Sequence, residues 1–163
     1  MKRVAVIALV SYLGFALEFL LYNFWGPWGK PELLILVVIF FNLYLGVRFS
    51  IIAAVFCGIF KDASGGEPFG TYILVYITAA YVTTLVRKYL YQPGSRFSRA
   101  VVTFFVVVGC FAVQAILSNM DHEARLREQL LYLLIPQLLT TMIAATYVFA
   151  QLRNISIFFV LKT

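Results

Sequence analysis

Long apolar blocks separated by short polar breaks make up almost the whole chain, and their lengths set the first expectation for its architecture. The blocks are Val4–Tyr22, Glu32–Val47, Phe49–Phe60, Phe69–Val86, Ala100–Ser118 and Gln129–Ala150. The first and the last three reach the roughly 17–25 residues that a helix needs to cross a hydrocarbon core of about 30 Å. The third is short. Even counted from Val47 to Phe60 it would reach only about 21 Å at helical rise, so residues 32–60 could instead form one tilted helix and leave five spans.

Charge separates the two arrangements. With six spans and a cytoplasmic amino end, nine of the thirteen lysines and arginines lie on the inner side and four on the outer, in keeping with the positive-inside bias. Five spans would put five inside and seven outside, with Arg48 stranded in the membrane. The expectation is an all-α membrane protein: a six-transmembrane-helix bundle over residues 1–163, one domain, with both termini cytoplasmic. Val4–Tyr22 is read as a retained first span that doubles as the insertion signal, since no A-x-A cleavage pattern follows it. The stretch Gly58–Tyr76 becomes an outer hairpin, its reversal supplied by Gly65, Gly66 and Pro68, with Lys61 and Asp62 at its outer end.

Composition supports this class. The chain is 63% hydrophobic and 12% charged, against about 45–50% and 25% in soluble domains. The net charge of +6 comes from bases lying between the apolar blocks, so it reports topology, not nucleic-acid binding. The basic inner loop Arg87–Arg99 could also meet anionic lipid or an acidic partner.

Each block carries a narrow band of small or polar residues at steps of three and four, such as Ser11, Gly14, Glu18 and Tyr22, or Ser50, Ala54, Cys57 and Lys61. Close helix packing is preferred over a solute pathway as the reading of these bands. Glu18 is the only acid well inside a block and is therefore a candidate for function. It lies nearer the outer interface than the midplane, which favours a structural hydrogen bond to neighbouring helix ends over proton coupling, and Glu18→Gln is expected to be mild. Pro136 is expected to bend the last helix, with Gln137, Thr140 and Thr141 satisfying the freed carbonyl.

Catalytic chemistry finds no support. His122 sits between Asp121 and Glu123, a pattern that reads as a solvated helix start, and Cys57 and Cys110 have no metal-ligand spacing. Neither an enzyme nor a metal or cofactor is expected.

The stretch "GIFKDASGGEPFGTYILVY" resembles the signature of the rod shape-determining protein MreD family, with Gly58, Asp62, Pro68, Gly70 and Tyr76 at the matching positions. The resemblance implies a non-enzymatic subunit of the bacterial inner membrane, within the machinery that builds lateral peptidoglycan. It implies MreC as partner and, through it, RodA, a class B penicillin-binding protein and MreB. It also implies kinship with the six-helix substrate-binding components of ECF transporters, so a vitamin-like solute-binding component is the rival function. The A-x-x-x-A docking pattern of those components is missing from the first block. On the preferred reading Asp62 orders the outer hairpin, either by accepting backbone donors or by pairing with Lys61 or a base from another loop.

Overall fold

The computed structural model describes residues 2–25, 31–64, 69–90, 96–118 and 136–151. Among these residues there are six helices and no strand: α1 Lys2–Trp25, α2 Leu33–Leu45, α3 Val47–Ser64, α4 Thr71–Leu90, α5 Arg96–Ser118, and α6 over 136–151.

Two of these helices, α1 and α2, are strongly apolar and sit in different surroundings. In α1 the apolar stretch Val4–Phe24 has 21 residues, about 32 Å at helical rise and enough to cross a bilayer. Its outward face is bare: Leu17 is 54% and Phe19 61% exposed, while Glu18 between them is 2% exposed. An apolar face of that extent belongs against lipid or protein and not water. In α2 every residue from Leu33 to Leu43 is buried. Its 13 residues make a rod of about 20 Å, packed against α1, α3, α4 and α5, with the Phe40 ring 6.2 Å from that of Phe149 on α6. A helix that is apolar on every side needs cover on every side. Here neighbouring helices supply it.

The chain reverses between α2 and α3 at Gly46, whose φ of 91° is open to glycine and strained for other residues. The hydroxyl of Ser50 donates to the Val38 carbonyl at 3.0 Å, although twelve residues of continuous helix would hold the two about 18 Å apart. A single helix over 32–60 is therefore not formed. The third helix is also longer than the sequence suggests, 18 residues from Val47 to Ser64 in place of Phe49–Phe60. Lys61 and Asp62 are buried within the helix and partnered there, so the backbone continues one turn past Phe60.

Helices α3 and α4 pack tightly at Gly58, where an added Cβ would come within 2.6 Å of the Ile73 Cα. Ala53, Ala54 and Cys57 on one side and Ala79 and Ala80 on the other are fully buried. Small side chains allow such an approach, which in lipid supplies the dispersion contacts that water would otherwise drive.

Candidate functional site

Any helix leaves its first backbone N–H groups without intrahelical partners, and in hydrocarbon those groups must be satisfied by protein. At the amino end of α2 the donors are met by other helices. The Glu32 amide donates to Thr141 Oγ1 of α6 at 3.1 Å, and the Leu34 amide to Glu18 Oε2 of α1 at 3.3 Å. Glu32, at the N-cap position, makes no side-chain capping bond. Its carboxylate is buried and accepts from Gln137 Nε2 of α6 at 2.9 Å.

Lys61 joins these acids. Lys61 Nζ, reaching across from α3, donates to Glu18 Oε1 and lies 3.8 Å from Glu32 Oε1. Side-chain exposure is 9% for Lys61 and 2% for Glu18, so these charges are stable only because they are paired. The ammonium also stands 5.5 Å from the centre of the Tyr72 ring on α4. The Tyr72 hydroxyl in turn accepts from Gln114 Nε2 of α5 at 3.3 Å. All six helices thus meet at one polar knot.

Asp62, the next residue on α3, faces a different neighbour because successive helical side chains diverge by about 100°. Its Oδ2 accepts from the Gly70 amide at 2.9 Å and its Oδ1 from the Tyr72 amide at 3.0 Å. This carboxylate caps α4 from across the hairpin, where the positive end of the helix dipole favours negative charge. Gly70 adopts a φ of 104° to turn the chain into α4. Asp62 therefore takes backbone donors, while Lys61 is engaged with Glu18 and Glu32. The two adjacent charges tie α3 to α1 and α2 on one side and to α4 on the other.

Of the remaining sequence candidates, Gly58 lies at the α3–α4 crossing described above. Tyr76 is fully buried on α4 with its ring 6.2 Å from that of Tyr72, and its hydroxyl has no hydrogen-bond partner among the described residues. Pro136 opens the described part of α6, and Thr140 donates to its carbonyl at 3.0 Å. The bend expected at Pro136 involves the preceding stretch, which lies outside the described residues, as do Pro68 and His122. Sequence reasoning missed Glu32 and Gln137 as members of the knot. The usable signal was Glu18 itself, since a buried acid implies a cation from another helix, and Lys61 was the base nearest a span end on the same side.

A second polar contact lies about 15 Å further along α2 by helical rise. Asn42 Nδ2 donates to the Ala80 carbonyl at 2.7 Å and to Thr84 Oγ1 at 2.9 Å, and Arg87 donates to the Asn42 carbonyl at 2.8 Å.

Chemically, the knot pairs carboxylates with Lys61 and backbone donors. No group of three or more metal-ligating side chains occurs among the described residues. Its evident capacity is to fix helices. No curated protein and no solved structure matches the chain. The sequence model of the family described as rod shape-determining protein MreD matches residues 2–155, which include every helix of the knot. The chain thus belongs to the MreD family of rod shape-determining membrane proteins.

Proposed function

We propose that the protein is a non-enzymatic, multi-pass scaffold of the bacterial inner membrane that binds MreC and helps control lateral peptidoglycan synthesis through it. RodA, a class B penicillin-binding protein and MreB are then indirect partners, reached through MreC. The family supplies the setting, a shape-determining system. One observation from the molecule carries the reading: Asp62 and Lys61 lock the α3–α4 end to α1 and α2, which makes that end a preorganised surface. A rigid docking surface binds at lower entropic cost than one that orders on contact.

Six spans with cytoplasmic ends would turn this surface to the periplasm. A reporter fused within residues 65–68 is expected to behave as periplasmic, and cytosolic behaviour overturns the orientation. Asp62→Ala is expected to lower co-purification of MreC while membrane levels stay normal; an unchanged yield removes Asp62 from the interface. Purification in mild detergent should recover MreC with wall synthases. Recovery of an ATPase pair with a large membrane coupling subunit would establish the solute-binding role instead.

A further inference from the structure

Between the first turns of α5 and the far half of α6 the surface opens into a groove of about 370 Å³. Arg99, Ala100 and Thr103 line one wall, and Met142, Ala145 and Phe149 lie among the residues of the other. Two features define what it can hold. The first is polarity. The Thr103 hydroxyl donates to the Arg99 carbonyl and the Thr146 hydroxyl to the Ile143 carbonyl, so both donors are used within their own helices. What remains is a largely apolar trough with one charged group, Arg99, in its lining. Arg99 is half-buried there, and its guanidinium makes no ion pair or hydrogen bond among the described residues. A guanidinium in that position is matched by an anion that can take two parallel hydrogen bonds, such as a phosphate or carboxylate.

The second feature is length. From Met142 to Ala150 the wall formed by α6 runs about 12 Å at helical rise. Met142, Ala145 and Phe149 on that wall give a hydrocarbon chain an apolar surface to lie along, so an amphiphile with an anionic head matches both the trough and the guanidinium.

We infer that the α5–α6 groove is a binding site for one anionic phospholipid, its phosphate on Arg99 and one acyl chain lying along Met142, Ala145 and Phe149. The site stands apart from the ionic knot and does not depend on the scaffold reading. A lipid held there would fill the cleft between two helices and keep α6, which carries Gln137 and Thr141, seated against the knot.

The test is native mass spectrometry of the full chain, purified in detergent and titrated with phosphatidylglycerol or with phosphatidylcholine of the same acyl chains. The expected result is a saturable adduct of one lipid with phosphatidylglycerol preferred. Arg99→Gln should lower that preference about fivefold, the effect of one base at a membrane surface. Thr146→Phe, which places bulk in the trough from an exposed position, should weaken adducts of both lipids. Arg48→Gln removes an exposed base outside the groove and should change neither. Equal losses in Arg48→Gln and Arg99→Gln, or adducts that grow without saturation, would overturn the site. So would a protein dimer that disappears in Thr146→Phe while the lipid adducts persist. Should Arg99→Gln not yield folded protein by gel filtration, the Thr146→Phe comparison decides alone: lipid adducts unchanged in that variant overturn the inference.

Discussion

At the amino end of α2, backbone donors and a buried acid are met by charged and polar side chains from α1, α3 and α6. At its carboxyl end the Asn42 carbonyl meets one exposed arginine, and the Asn42 amide meets two neutral acceptors on α4. Both ends answer the same requirement, that no backbone polar group be left bare in an apolar medium. They differ in what a failure would cost. Glu18 and Glu32 both depend on Lys61, so removing that cation strands them together. A neutral hydrogen bond is worth about 1 kcal/mol net, and an exposed base at a helix C-terminus about 0.3–1 kcal/mol. The molecule concentrates its vulnerability at the Lys61 end.

Removing the cation is the most severe way to test that contrast. Lys61→Met is expected to destabilise the protein by about 3–5 kcal/mol, read as thermal unfolding in detergent, because Glu18 and Glu32 lose their common partner. Adding Glu18→Gln and Glu32→Gln to it should recover most of the loss. A Lys61→Met variant as stable as the parent would show that the knot is not held by charge. Glu18→Gln alone should be mild, since Lys61 keeps Glu32 and a glutamine oxygen can still accept from the Leu34 amide.

Next in size is the crossing beside the knot. Gly58→Ala drives a methyl group into the Ile73 backbone and should cost about 1–3 kcal/mol as overpacking. Since Gly14 has only ordinary contacts around its Cβ position, Gly14→Ala under the same melt gives the reference, and equal effects would remove the special status of the α3–α4 approach. At the other end of α2, Arg87→Gln should cost about 0.3–1 kcal/mol, a loss reduced by salt. A loss matching that of Lys61→Met would erase the contrast between the two ends. The smallest effect is expected for Tyr76→Phe. Its hydroxyl is buried without a partner among the described residues, so its removal should leave stability unchanged or slightly raised.

The charged cluster was only partly readable from sequence. Glu18 stood out because an acid inside an apolar block demands an explanation. Asp62 stood out because of the glycine and proline pattern after it. Their partners did not, since helical periodicity describes one helix at a time while Lys61 and Glu18 are 43 residues apart. Helix α3 runs past both ends of the apolar block Phe49–Phe60, since charges partnered by other helices need not end a helix.

Hydrophobic patterning alone determined that this chain makes apolar helices, where most of them fall, and that the protein belongs in a membrane, because the length and composition of a block suffice for each of those conclusions. It could not say what covers α2, since lipid and protein neighbours are equally apolar. Tertiary structure alone decided that α2 is the covered core while α1 keeps a bare face. It also decided that Lys61 closes the knot, because pairing across distant helices depends on three-dimensional reach, which no local pattern encodes.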